Sequence, residues 1–349
     1  MQTRPIAKIQ AKIYRTLISE AELTIKGPQP WITALLAFAL AGCAGAGSPP
    51  QSVAAAGAGD ASWMNPATSG ENLLYISDQA LNVVDVFTYP RGTTAGVLQQ
   101  MHDPAGICSD KAGDVWIVNA PNHVLKYAHG GKRPGSTIED ANALRFQACS
   151  VDPTTGDLAV TDAGRAGQDG SVVVYRGGKG MPHRLRSSAL TEVFFCAYDD
   201  RGNLFVDGLD AGRTFHLVEL PNGSQMLRTI KVDRSVGFPG AVAWDGKFLA
   251  LGDRAYQGGH SPAIYQLAVS GSHGTVVGTS RLGSSCDLLG FTIPKLGSGR
   301  GNPQGTRVVA PDVCQNTVRF YNYPVSGSPT KNLGDIQYPF GAAVSAAAH

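Results

Sequence analysis

Residues 104–127 read PAGICSDKAGDVWIVNAPNHVLKY, and this stretch decides the fold. A run of small residues (Ala105, Gly106, Ile107, Cys108) leads through the turn Asp110-Lys111-Ala112-Gly113 into the apolar run Val115-Trp116-Ile117-Val118. After Pro121 and Asn122 a third run ends in Tyr127. Runs this short, rich in β-branched and aromatic residues and bounded by Gly, Pro, Asn and Asp, are strands. Working outward in both directions, the same order returns roughly every 45 residues, the mark of a repeat architecture. Second runs lie at 73–78, 115–119, 158–162, 204–207, 248–253 and 308–312, and each ends in Asp or Asn: Asp78, Asn119, Asp162, Asp207, Asp253 and Asp312. Third runs follow at 83–90, 124–131, 172–178, 215–223, 263–271 and 318–327, and small-residue runs lie at 104–110, 146–152, 193–199, 238–245, 286–292 and 339–344. Small residues suit an innermost strand, because inner strands converge on a narrow channel. Weaker runs such as 97–99 and 226–230 supply an outer edge. The pattern predicts an all-β chain forming a six-bladed β-propeller with four-stranded blades. The first unit starts at its second strand, and the last small-residue run has nothing after it. Closure is therefore expected to pair the C-terminal strand with the N-terminal strands, which leaves no open sheet edge.

The N-terminal residues predict export. Residues 31–41 (WITALLAFALA) form an apolar run of eleven, the length of a signal h-region and far short of a spanning helix. It ends in Leu40-Ala41-Gly42-Cys43, which resembles the bacterial lipobox, where the Cys thiol takes the lipid and becomes the first mature residue. An ordinary signal peptide with Cys43 incidental is the other reading. The thirty residues before the h-region exceed what an n-region needs, and no Met lies between Met1 and Met64, so a shorter start, for instance at Leu23, would keep Lys26 as the n-region charge. The expected organisation is a signal peptide over 1–42, a flexible tether over 43–70 and the propeller over 71–349. The partner this implies is a membrane, reached through the lipid on Cys43. By resemblance to Gram-negative lipoproteins, Ala44 directs the protein to the outer membrane. Without residues 1–42 the chain keeps 24 basic and 25 acidic residues, a net charge of −1, so nothing draws it to nucleic acid. A monomer is expected.

The pattern x-P-x-G-x-x-x-D-x-x-G-x-ϕ-ϕ-ϕ-x-D-x-x-x-N-x-V-x-x-ϕ, carried by residues 104–127 and 312–321, resembles the NHL-type repeat. It is also similar to the wider six-bladed group containing the gluconolactonase-like enzymes. That resemblance covers about residues 72–345 and implies fold more than function, since such folds hold lactonases, lyases and plain binding modules.

The terminal Asp and Asn residues admit two readings. One is a ring of carboxylates at the channel mouth holding a cation; the other is six turns closed by side-chain bonds to backbone amides. Repetition in every unit favours the second. The lead-in positions of the inner strands, Asp103, Arg145, Glu192, Phe238 and Tyr338 with Asp287 nearby, differ between units, as site residues do. Resemblance to the gluconolactonase-like enzymes implies a Ca²⁺ ion at this mouth, for which Glu192 with Asp103, Asn119 and Asp162 offers hard oxygens. The family's Glu lies in the first inner strand with Gly-Pro after it, and that motif is absent. No G-x-S-x-G elbow, zinc-spaced His pair or Walker loop is present either. The expectation is therefore a non-enzymatic binding or scaffolding module, with a divalent-cation-dependent lactonase-like hydrolase as the alternative. His123 and His260 are candidate ligand contacts, and the longer loops 163–170 and 254–262 are the places for specificity. The ligand itself is a protein or a small molecule at the propeller face.

Export makes disulfides available to the five other cysteines. Cys286 begins the last unit's small-residue run and Cys314 lies in the loop after its second strand, on the same face. A bond between them is expected, closing a loop of about 28 residues at a gain on the order of 3 kcal/mol. Cys108, Cys149 and Cys196 read as small buried thiols beside the channel.

Overall fold

The turn-bounded apolar runs fold into antiparallel sheets. A computed structural model describes residues 63–68, 70–165, 167–259, 261–294 and 307–347. The first unit holds β1 (Leu73–Asp78), β2 (Val83–Thr88) and β3 (Thr94–Leu98); the second holds β4 (Pro104–Ser109), β5 (Val115–Asn119), β6 (His123–Tyr127) and β7 (Ser136–Glu139). The third is β8 (Phe146–Val151), β9 (Leu158–Asp162), β10 (Ser171–Tyr175) and β11 (His183–Leu185); the fourth is β12 (Glu192–Tyr198), β13 (Leu204–Leu209), β14 (Phe215–Leu220) and β15 (Arg228–Val232). The fifth is β16 (Pro239–Trp244), β17 (Leu249–Asp253), β18 (Ala263–Ser270) and β19 (His273–Arg281). The last is β20 (Arg307–Asp312), β21 (Thr317–Asn322) and β22 (Lys331–Leu333), followed by β23 (Pro339–Ser345). Strand β23 pairs antiparallel with β1, with Leu73 opposite Ser345 and Leu74 opposite Val344, so the first sheet runs β23-β1-β2-β3. The architecture is all-β and β-propeller-like.

Burial falls from the inside of each sheet outward. Strands β1, β9, β17 and β23 are buried along their whole length, whereas β7 is mostly exposed. Neighbouring inner strands approach so closely that glycine is required. A Cβ on Gly106 would lie 2.6 Å from the Ala148 Cα, and one on Gly341 would meet the Ala105 carbonyl. In the last unit the run 286–292, expected as an inner strand, forms no strand: the sheet is β20-β21-β22, and only Thr292 bridges to it, exchanging backbone bonds of 2.9 and 3.0 Å with Val309. Residues 106–107, 148–149, 195–196, 241–242, 290–291 and 340–342 together line a small cavity of about 50 Å³, room for little more than a water molecule.

Each inner strand carries a bulge against its second strand: between Pro104 and Ile107, Phe146 and Cys149, Val193 and Cys196, and Pro239 and Val242. The bulge fixes which second-strand residue faces which amide, and it corrects one expectation. Asp207 does not end its strand: β13 continues to Leu209, with Val193 opposite Gly208 and Cys196 opposite Val206. In the third unit Cys149 faces Val160 and Phe146 faces Asp162. Gly208 therefore stands where Asp162 does, and Asp207 stands where Thr161 does.

Two sheet edges are covered. Residues 63–68 lie along β3: the Asn65 amide donates to the Ala95 carbonyl at 2.7 Å, the Trp63 indole donates to the Gly130 carbonyl at 3.0 Å, and Gly96 leaves room for the Trp63 ring. The packed body therefore begins before residue 71, within a unit spanning Ala58–His349. At the other edge, Lys231 and Val232 of β15 pair in parallel with His273 and Gly274 of β19, joining two sheets into one of eight strands. Among the described residues no helix is long and apolar enough to cross a membrane.

The cysteines pair as Cys286–Cys314 and Cys108–Cys149. The second bond departs from the expectation of free thiols at Cys108 and Cys149. Their strands, β4 and β8, are adjacent inner strands, and the two Cα atoms are 5.7 Å apart, within disulfide reach. Cys196 stays free and buried, and burial pushes its thiol far above the usual range, leaving it inert.

Candidate functional site

The strand register puts the start of each inner strand beside the end of its second strand, as in Pro104 opposite Asn119 and Pro239 opposite Asp253. One face thus collects the lead-in residues and the loops after the second strands. The terminal carboxylates and amide hold this face in shape. Asp162 accepts from the Leu144 and Arg145 amides at 3.0 and 2.7 Å, and Asp253 from those of Gly237 and Phe238 at 3.0 and 3.2 Å. Asp78 accepts from the Gln337 amide at 2.8 Å and Asn119 from that of His102 at 2.6 Å. Each is a latch to the loop entering its own inner strand, and the Asp78, Asp162, Asp253 and Asp312 side chains are buried. Asn82, at φ +54°, adds a bond between units by accepting from the Asp103 amide at 2.8 Å.

The residues proposed as cation ligands have separate partners. Glu192 pairs with Arg213 at 3.0 Å, Asp103 with Arg145 at 3.5 Å, and Asp162 with Arg184 at 2.7 Å, while the Asn119 oxygen holds the His102 amide. Asp287 forms a bidentate pair with Arg254 at 2.7 and 2.8 Å. His123 lies on β6 next to Glu139 of β7, 3.8 Å away and toward the outer edge. His260 lies outside the described residues, as does Cys43.

Two features stand out on this face. The first is aromatic: Phe340, Phe195, Phe194 and Phe238 follow one another with centroids 6.4, 6.5 and 5.9 Å apart, from the central cavity to the rim. At the rim the guanidinium groups of Arg213 and Arg254 lie 5.9 and 5.1 Å from the Phe238 ring, within cation–π reach. Carboxylates from Glu192 and Asp287 hold both. The second is a cleft of about 680 Å³ lined by Asp140, Asn142, Gln168, Asp169, Arg184 and Arg186, among others. Gln168 and Asp169 come from the loop 163–170. Arg184 bridges the buried carboxylates of Asp140 and Asp162 at 2.6 and 2.7 Å, and the Tyr175 hydroxyl donates to Asp140 at 3.3 Å.

A third cluster was legible only in part. Asp312 is buried, its Oδ2 accepts from the Ser285 hydroxyl at 2.9 Å, and Arg319 Nε stands 3.3 Å away. Its Oδ1 lies 3.3 Å from Cys286 Sγ and 3.4 Å from Cys314 Sγ. Burial raises this carboxyl above its ordinary pKa, with Ser285 and Arg319 opposing. Sequence spacing paired the cysteines but gave no sign of the carboxylate between them. No protein-family model matches the chain, and no curated protein is found to be similar to it.

Proposed function

We propose that the protein is an envelope-anchored, six-bladed propeller of NHL-like type, closed through β23, whose latched face binds a partner and does no covalent chemistry. The observation that carries this reading is the Phe238 cluster: an aromatic ring at the rim, two arginines beside it, and a carboxylate holding each arginine. The Arg213–Glu192 pair is exposed, so it exchanges one carboxylate for another at little cost. An acidic peptide segment that also presents an apolar group to Phe238 fits this arrangement. The anchor is the lipid on Cys43. The engagement of Glu192, Asp103, Asn119 and Asp162 by separate partners supports binding over the cation-dependent alternative.

The oxidised protein should show no change in melting temperature with Ca²⁺ and no turnover of a lactone panel. It should retain acidic, aromatic-bearing peptides on an array, and Arg213→Ala with Phe238→Ala should abolish that retention. A Ca²⁺-dependent rise in melting temperature, lost in Glu192→Gln, would overturn this reading in favour of the hydrolase. Labelling of cells with radioactive palmitate should mark the protein and fail in Cys43→Ser.

A further inference from the structure

We propose that Cys286, Cys314 and Asp312, once the disulfide is reduced, form a site for a thiophilic divalent ion of the zinc class at the channel mouth. The three ligand atoms lie within 4.8 Å of one another. A tetrahedral zinc bound by one carboxylate oxygen and one thiolate sets those two ligand atoms about 3.6 Å apart, from the usual bond lengths. The distances from Asp312 Oδ1 to the two sulfurs, 3.3 and 3.4 Å, are close to that edge. Only the sulfurs must separate, and Cα atoms 6.3 Å apart allow it by side-chain rotation.

The carboxylate is already aimed. Its Oδ2 accepts from the Ser285 hydroxyl and lies 3.3 Å from Arg319 Nε, while Oδ1 faces both sulfurs. A disulfide sulfur carries no proton, so these two contacts become hydrogen bonds in the dithiol and metal edges in the loaded site. Charge balances as well: two thiolates and one carboxylate carry −3, and a dication with the buried Arg319 guanidinium returns the cluster to neutrality. The remaining carboxylate of this lead-in loop, Asp287, is held by Arg254. Cys286 is half-buried and Cys314 exposed, so a fourth position opens to solvent. Such a site accepts water or a ligand group.

The redox step balances with a dithiol reductant. Two electrons and two protons pass to Cys286 and Cys314, the S–S bond breaks, and the reductant leaves as its own disulfide. The ion then displaces the two thiol protons. The lead-in segment of the last unit is thus fastened to the β20–β21 loop covalently in one state and by a metal in the other.

Cobalt(II) serves as the probe, added under nitrogen to the full chain before and after treatment with dithiol. The reduced protein should bind about one equivalent, giving thiolate-to-cobalt charge transfer and the d–d bands of a tetrahedral ion, both bleached by Zn²⁺. The oxidised protein should give neither. Cys286→Ser with Cys314→Ser should lose the bands, Cys108→Ser with Cys149→Ser should keep them, and Asp312→Asn should weaken binding roughly tenfold or more. A reduced protein with titratable thiols and no bands overturns the site, as do bands that survive in Cys286→Ser with Cys314→Ser. Should Asp312→Asn not fold, the wild type decides: Zn²⁺ should slow alkylation of Cys314 at least tenfold, and an unchanged rate overturns the proposal.

Discussion

Asp207 is fully buried and occupies a position that a hydroxyl fills elsewhere. Ser77 accepts from the Gly341 amide at 2.7 Å and donates to the Ala105 carbonyl at 2.6 Å; Thr161 accepts from the Ala148 amide at 2.9 Å and donates to the Phe194 carbonyl at 2.8 Å. Each hydroxyl ties the bulge of its own inner strand to the next inner strand. Asp207 Oδ1 accepts from the Phe195 amide at 2.8 Å, the same bulge bond, but its Oδ2 has no partner. Burial raises this carboxyl well above its ordinary range, favouring the neutral acid. The sign follows. The unfolded chain ionises Asp207 near pH 4 and the folded chain only at higher pH, so stability falls as pH rises between the two, by at most about 1.4 kcal/mol per unit. Asp85, raised to about 6 by burial and by Asp78, acts in the same direction but is finished above that pH. Asp207→Thr should therefore make the urea midpoint depend less on pH as pH rises above about 4. A slope that persists in the variant would place its source elsewhere. The sequence could not reveal this position. The runs 204–207 and 158–162 align equally well on hydrophobicity, and only the bulge register separates an Asp at the Thr161 position from one at the Asp162 position.

At the scale of elements, the strongly apolar inner and second strands were legible, because burial on both faces writes a continuous hydrophobic run. Of the outer elements, β3 and β15 were legible in the weaker runs 97–99 and 226–230, but β7 is largely exposed and β11 and β22 have three residues each, and their pairing owes more to backbone than to side chains. The docking of residues 63–68 was invisible for a related reason, since its signal is one Trp and one Asn in a polar stretch. Yet Trp63 and the Asn65 amide cover β3, whose unpaired edge is otherwise a template for another chain. A chain beginning at residue 71 should therefore aggregate faster than one beginning at residue 58, as read by light scattering during mild heating, with Trp63→Ala in the longer chain giving an intermediate rate. Equal rates would mean that β3 is protected by its own twist or charges. The Cys108–Cys149 bond was hidden by the same limit, because pairing between neighbouring sheets depends on how inner strands pack rather than on any spacing along the chain.

For the whole molecule, the phase of the repeat was the most informative reading, because it assigns the last strand to the first sheet. All seven residues of β23 are buried, and they link the two chain ends: Leu73 pairs with Ser345, Asp78 with Pro339, and Asp78 also latches the Gln337 amide. Beyond its own sheet, the Val344 carbonyl of β23 accepts from the Ser109 hydroxyl at 2.9 Å, and within it the Gly341 amide donates to the Ser77 hydroxyl at 2.7 Å. Removing residues 337–349 should thus do more than fray an end. It would expose β1 along its whole length, strip β4 of one inner neighbour and leave the segment around Gly290 without the Phe340 carbonyl that it approaches. Strand β23 packs against β1, β4 and β20, so its loss reaches three sheets at once. The expected outcome is a melting temperature lower by tens of degrees, or a chain recovered only as aggregate. The milder Gly341→Val, which sets a branched side chain against the Ala105 carbonyl, should lower the melting temperature while keeping one cooperative transition. A truncated chain that melts like the full one would refute closure through β23, and the first sheet would then have to be stable with three strands.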